Sequence, residues 1–328
     1  MTKDIVIDFS LTFAYLQTFA HVLKNTKPLD EKAIKGYVLF IKIYCDELST
    51  MSSVSHIVRK SKASLFWYFR SFEKAKREAV YTLCAFCFHI DQIVHGRLDD
   101  AQKAELLNAW QIELDNIYHK KVPETKIGLK IYKNCMRFKI KKQDFEAILK
   151  AAMLDCPTPL QAPTKDTFDT YCTGMAVAPI YIMLLITGDL KEASMRALSQ
   201  NLGYAIELTN ILRNIKDDAS NGHLYIPKEY LSVYNITATE PMRAITDKNL
   251  VMVRQKMAVE AEQYFNKAHK LIFASDKKNT RILRFIYHIY RRYFDIMSRR
   301  GFEIMSPKPK IKRKDKLAIA FNTLFDRY

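Results

Sequence analysis

A line of polar side chains runs up an otherwise apolar helix in ELTNILRNIKDDASNGHLYIP, residues 207–227. Glu207, Asn210 or Ile211, Asn214 and Asp218 are spaced three or four apart and so share one helical face. Leu208, Ile211, Leu212 and Ile215 occupy the other faces and require a core. Acid and amide groups turned inward cost free energy unless something binds them. The simplest occupant is a cation, or a cation holding an anionic ligand. Asn221-Gly222 stops the helix.

The surrounding chain is long enough to bury such a helix. Its 328 residues include only 8 Gly and 10 Pro, and long stretches follow the 3.6-residue period, so the fold class expected is all-α. Alternating β-branched runs closed by Asn-Gly or Asp-Gly, the mark of hairpins, are absent. The periodicity predicts helices over 8–24, 31–48, 66–95, 99–119, 125–135, 142–154, 165–187, 190–216, 227–233, 247–274 and 277–300. Pro157, Pro159 and Pro163 mark a loop near 155–164. No internal repeat divides the chain. The most apolar segment, APIYIMLLIT at 178–187, has half the length of a membrane span and reads as a buried helix.

Charge and cysteine usage narrow the classes. Fifty-two Lys and Arg against 35 Asp and Glu give a net charge of +17, which suits nucleic acid, anionic lipid or phosphate-bearing substrates. No DNA- or RNA-binding motif accompanies the charge, so no nucleic-acid partner is expected. The six cysteines are scattered in apolar contexts. Cys84 and Cys87 form a CxxC on a helix with no second pair to complete a zinc site, so reduced core thiols in a cytosolic protein are expected. The N-terminus shows no basic region followed by an apolar stretch, and so no signal peptide.

A second polar line lies on residues 76–96. Arg77, Cys84, Asp91 and His95 fall on one face, and Asp91 and His95 are an i, i+4 pair, like Asn214 and Asp218. Two helices with oxygen-rich pairs near their C-terminal ends suit Mg²⁺ bridged to substrate phosphates. Arg70, Lys76 and Arg77 precede the first pair, and Arg213 and Lys216 are interleaved with the second, placing diphosphate-gripping cations nearby. The blander alternative is a surface acid at Asp91, a dipole-favoured His95, and Asp217 and Asp218 ending a solvated helix.

With those residues in view, SLFWYFRSFEKAKREAVYTLCAFCFHIDQIVHG resembles the first signature of the squalene/phytoene synthase family, and LGYAIELTNILRNIKDDASNGHLYIP resembles the second. The likeness runs from about residue 55 to 325 and includes ALKAAMLD, DTYCTGMA and KLAIAF. It looks closest to the bacterial presqualene diphosphate synthase branch. The resemblance implies an isoprenoid-synthase helical bundle around a central apolar cavity. It also implies head-to-head condensation of two farnesyl diphosphates to a cyclopropylcarbinyl diphosphate. The residues carried over are Asp91 and Asp218 as ligands of bridging Mg²⁺, with Mn²⁺ as a substitute. Ser64, Arg70, Lys76, Arg77 and Arg213 contact diphosphate or order the site. Asn210 supports the metal–diphosphate cluster, and Tyr171 and Tyr225 lie near the carbocation. Cations on the leaving group assist ionisation, and a dry, aromatic-lined cavity protects the cation that forms.

The departures from the family pattern fall on polar positions. His95 and Asn214 stand where the family has Asp, and Glu207 where it has Gln. Gly174 stands in place of Arg, Ile180 in place of Gly, and His223 where Arg is frequent. The candidate metal set is therefore Asp91, His95, Glu207, Asn210, Asn214 and Asp218, with Glu207 restoring one negative charge. Losing a good carboxylate ligand costs roughly a thousandfold in rate. The sequence thus carries two readings: an active prenyltransferase with an altered metal site, or a degenerate relative that binds prenyl diphosphates or acts in assembly. No NADPH fingerprint is present. The reach of the resemblance, which does not clearly cover the first 50 residues, and the basic composition of the C-terminus divide the chain into an N-terminal helical extension (1–50), a synthase domain (51–306) and a basic tail (307–328). The tail is either solvated or an anionic-membrane contact, which gives an expected location in the cytoplasm and at its membrane surface.

Overall fold

Glu113, an acid on an apolar helix face, organises the first part of the fold. The computed structural model describes Phe69, residues 72–156 and residues 158–324. The expected helices at 8–24 and 31–48, together with Ser64, Arg70 and Pro157, lie outside the described residues. The chain forms two units, divided between Lys142 and Gln143. In the first, α1 (Lys74–His95), α2 (Asp100–Tyr118) and α3 (Lys126–Phe138) pack against one another. A capping box at Asp99 and Gln102 starts α2, and Thr125 caps α3. Buried Glu113 accepts from the backbone N–H groups of Glu124 and Thr125 and from the Thr125 hydroxyl, at 3.0, 2.8 and 2.9 Å. Any side chain at Gly128 would strike that carboxylate, since a Cβ there falls 2.0 Å from Glu113 Oε1. Burying this acid is tolerable because three donors satisfy it.

The second unit is built on one long helix. It comprises α4 (Lys142–Leu154, whose first residue belongs to the first unit), α5 (Lys165–Cys172), a π-helical segment Thr173–Val177, and α6 (Ala178–Thr187). Beyond these come α7 (Glu192–Ser220), α8 (Lys228–Val233), α9 (Pro241–Ala244), α10 (Leu250–Ala274), α11 (Lys277–Arg300) and α12 (Arg313–Leu324). Among the described residues there is no β-strand, only an isolated bridge between Gln161 and Leu224. α7 packs along α10 and against the π segment, α6 and α11, and from Leu202 to Ile215 every residue of α7 is buried. That enclosure explains why this helix carries so little surface pattern.

Three features differ from the sequence reading. The helix expected over 66–95 begins its main run at Lys74, after a bend at Phe72. The helix over 165–187 is one continuous run, but with a π turn in its middle. The bulge sits where Gly174 lies against α4: a Cβ there would fall 2.1 Å from the Ala147 carbonyl oxygen and 2.4 Å from the Ala151 Cβ. No side chain fits, so Gly174 is a packing residue at which an arginine has no room. Residues 178–187 are core, with Ile180, Ile182, Leu184 and Ile186 buried. Residues 307–324, set apart by composition as a tail, pack on the second unit. Pro309, Ile311, Ile319 and Ala320 are buried there, and α12 lies against α11.

Candidate functional site

The polar stripe of α7 is an inward face of the second unit. Glu207, Asn210, Arg213 and Asn214 are buried, and Asp218 is partly so. Helix propagation carries this face without help from the polar groups, because Leu208, Ile211, Leu212 and Ile215 supply the burial. Asn210 donates through Nδ2 to Glu207 Oε2 at 3.4 Å. Burial pushes the Glu207 carboxyl above its usual range. Asp218 is pushed up to about 6, chiefly by burial, with Glu207 adding to the rise while His223 and Lys308 oppose it. Asp217 and Asp218 also lie in the last turn of α7, where the helix dipole disfavours negative charge. Lys308 meets Asp217 at 3.3 Å.

A divalent cation fits this face on structural grounds. The Asn214 carbonyl oxygen, Oδ1, is buried and has no hydrogen-bond partner among the described residues, an arrangement that native interiors rarely leave uncompensated. One turn on stands a carboxylate at the wrong end of a helix dipole, and two turns below stands a second, buried carboxylate. Oxygen donors of this kind suit hard cations. Asn214 and Asp218, with Glu207 and Asn210 further down the face, are the residues that would hold them.

Arg213 is engaged by the protein. Its Nε donates to the Pro309 carbonyl at 3.1 Å, and its guanidinium lies 4.2 Å from the Tyr293 ring centroid. It thereby ties α7 to the 307–311 segment and to α11. That geometry serves the ordering half of its expected role rather than a direct grip on diphosphate. Lys316, also near Tyr293, has its amine pushed down by burial and by Arg213.

Tyr171 and Tyr225 are brought together. Their rings stack with centroids 4.8 Å apart at 18°, and both hydroxyls are pushed well up by burial. The residue that holds them escaped the sequence reading. Asp155, buried after α4, accepts from the Tyr225 hydroxyl at 2.5 Å, from the Leu160 N–H at 2.8 Å and from His223 Nδ1 at 3.0 Å. His223 also stacks on Tyr225, with ring centroids 5.3 Å apart. Its segment, ALKAAMLD, is part of the family likeness, but the acid itself stood out only as the close of an apolar run ahead of a proline loop, a context that equally describes a surface cap.

In the first unit, Asp91 and His95 face each other at 3.8 Å on α1. Burial pushes Asp91 up to about 6. Lys76 and Arg77 lie half-buried in the first turns of the same helix, and Arg77 Nη1 donates to the Phe72 carbonyl at 3.4 Å. Cys84 and Cys87 are free thiols; burial raises Cys84 to about 12 and Cys87 further, so neither is a ready thiolate.

A helical unit wrapped around an inward acid–amide stripe, with stacked tyrosines beside it, defines an isoprenoid-synthase-type protein. The fold comparison agrees. A dehydrosqualene synthase solved with ligand superposes with a TM-score of 0.70 over 90% of this chain and 100% of that one, at 21% identity. A squalene synthase from Alicyclobacillus acidocaldarius gives 0.63 over 83% and 97%, at 18% identity. The sequence profile of the squalene/phytoene synthase family matches residues 58–315. The chain is 31% identical over 258 residues to a presqualene diphosphate synthase of Rhodopseudomonas palustris, covering 78% of this chain and 91% of that protein. A Zymomonas mobilis protein of the same description is 28% identical, covering 86% and 96%. The chain belongs to the squalene/phytoene synthase family.

Proposed function

We propose that this protein is a prenyltransferase that condenses two farnesyl diphosphates head to head into presqualene diphosphate. The observation that carries the reading is the inward face of α7, where the Asn214 carbonyl has no partner among the described residues and Asp218 is an acid set against the helix dipole. The names of the similar proteins support the substrate class. A divalent cation, Mg²⁺ or Mn²⁺, supplies charge that stabilises the departing diphosphate when bound. The chain's own residues do the rest. Asn214 and Asp218 present oxygens at the head of the face, and Asn210 and Glu207 hold each other further down. Arg213 fixes the 307–311 segment over α7, and the Tyr171–Tyr225 stack presents aromatic faces suited to a carbocation.

The degenerate reading draws no support from these relatives, which are described as synthases. Of the departures that motivated it, at His95, Asn214 and Gly174, Gly174 has a local structural reason, being required by packing; the separate departure at His223 is built into the Asp155 network. The protein works on a lipid product, so residence at the cytoplasmic membrane surface through exposed Lys310, Lys312 and Lys314 belongs to the same proposal. Purified protein incubated with farnesyl diphosphate and Mg²⁺ or Mn²⁺ should release diphosphate and form presqualene diphosphate. Folded protein that turns over with neither metal would refute it.

A further inference from the structure

α3 turns an amphipathic arc toward solvent. Its buried side, Ile127, Gly128, Ile131 and Cys135, packs in the first unit with α1 and α2. The arc opposite has two edges. Leu129 and Met136, two turns apart, are 40% and 68% exposed, with Tyr132 half-buried beside them. Lys126, Lys133 and Arg137 line the other edge, all exposed. At 3.6 residues per turn the two apolar side chains lie within about 20° of each other, and the three cations within about 40° on the adjoining strip. Val122, in the turn leading into the helix, is 82% exposed. Charge is concentrated here: residues 120–141 hold eight Lys and Arg against one acid, Glu124, whereas the whole chain holds 52 against 35.

A single exposed apolar side chain is ordinary on a protein surface. Three between residues 122 and 136, set against a cationic strip, call for a partner that takes both. A nucleic acid offers phosphates but nothing to receive Leu129 and Met136. An anionic bilayer offers lipid phosphates for the cations and hydrocarbon just beneath for the aliphatic side chains. The helix is already formed to meet it. Thr125 caps its start, and Lys139, at φ 53°, closes its end by donating its N–H to the Cys135 carbonyl, so docking carries little cost of ordering. We infer that the outward arc of α3 is a docking surface for an anionic lipid bilayer. Leu129 and Met136 enter the boundary between headgroups and acyl chains, while Lys126, Lys133 and Arg137 meet lipid phosphates. The inference rests on the membrane residence proposed above, and gives that residence an apolar contact that Lys310, Lys312 and Lys314 do not supply.

Co-sedimentation of the full chain with vesicles tests it, using phosphatidylcholine alone or with about one-third phosphatidylglycerol. Wild type should bind the anionic vesicles and not the neutral ones, and more weakly as salt is raised. Lys133→Gln with Arg137→Gln should weaken binding about thirtyfold, at about fivefold per cation. Leu129→Gln with Met136→Gln should weaken it about tenfold. All four side chains are exposed, so both pairs should keep the wild-type thermal midpoint and, in vesicle-free solution, the wild-type rate of diphosphate release. Leu129→Trp should shift its emission to the blue on anionic vesicles only. Wild type that binds no anionic vesicle overturns both the membrane residence and this surface. Binding kept by both α3 pairs but lost on joint Lys310→Gln, Lys312→Gln and Lys314→Gln overturns the α3 surface and leaves the residence with those lysines. A DNA duplex bound as tightly as the vesicles, with no effect of the Leu129 and Met136 substitutions, overturns the bilayer in favour of nucleic acid. A dimer in place of vesicle binding, dissociated by those substitutions, overturns it in favour of a second copy of the chain. Loss of diphosphate release by either α3 pair in vesicle-free solution overturns a role confined to docking.

Discussion

Removing the charge of Asp218 should stabilise the protein in the absence of metal. Its carboxyl is raised from an ordinary 3.8 to about 6, chiefly by burial, which corresponds to ~3 kcal/mol against the ionised form. Solvent reaches part of this side chain, so the penalty realised is about 1–2 kcal/mol. Between pH 4 and 6 the folded chain holds a proton that the unfolded chain has lost. Stability therefore falls as pH rises through that window and stays reduced above it. Asp218→Asn removes the penalty and keeps the shape. Thermal unfolding without divalent metal should show the variant ~2–5 °C above wild type at pH 7.5 and level with it at pH 4. Added Mg²⁺ with diphosphate should raise the wild-type midpoint more than that of the variant. A variant less stable at pH 7.5, or an offset that does not change with pH, would refute the argument that this acid is held in an unfavourable place for binding.

Three further outcomes follow from the same geometry. Asp218, near 6, would have to lose its proton to hold a divalent cation. Divalent-cation affinity measured by calorimetry should therefore fall about fourfold from pH 7.5 to 5.5, and turnover should fall with it. Gly174→Ala drives a Cβ into the Ala147 carbonyl and should cost about 2–4 kcal/mol in urea unfolding, Gly174→Arg still more. Arg213→Lys keeps the charge but loses the Nε bond to Pro309 and the planar contact with Tyr293. It should cost about 1–2 kcal/mol and hasten proteolysis of the 307–324 segment.

The helices were legible because their apolar period is long; Lys142–Leu154 and Lys277–Arg300 carry the bounds their pattern predicts, and Lys228–Val233 begins one residue after the expected 227. The α7 stripe was legible because an inward acid or amide contradicts its neighbours. The π turn was not, since nothing in TGMAV differs from an α-helix until Gly174 meets Ala147. Asp155 was not, because its meaning depends on Leu160, His223 and Tyr225, which are up to 70 residues away. The packed C-terminal segment was masked by its lysines, whose composition resembles a solvated tail while Pro309 and Ile311 between them are buried.

The exchange of charge along α7 is better regarded as displacement than as replacement. Seven residues separate Glu207 from Asn214, a rise of about 10 Å, and eleven separate Glu207 from Asp218, about 16 Å. Direct metal ligation spans only about 2 Å on each side, so Glu207 and Asp218 cannot ligate one ion. A double-mutant cycle with Glu207→Gln and Asn214→Asp distinguishes the cases. If both acids act on one ion, the gain from Asn214→Asp depends on whether Glu207 is present, and the cycle is not additive. If ligation is local, Asn214→Asp strengthens binding beside Asp218 by about tenfold or more whether or not Glu207 is present. Glu207→Gln then weakens a second event independently, and the cycle is additive to within ~0.5 kcal/mol. The separation along the helix favours additivity. A coupling above about 1 kcal/mol, measured by titrating each variant with Mg²⁺ at fixed diphosphate, would show instead that one ion feels both acids.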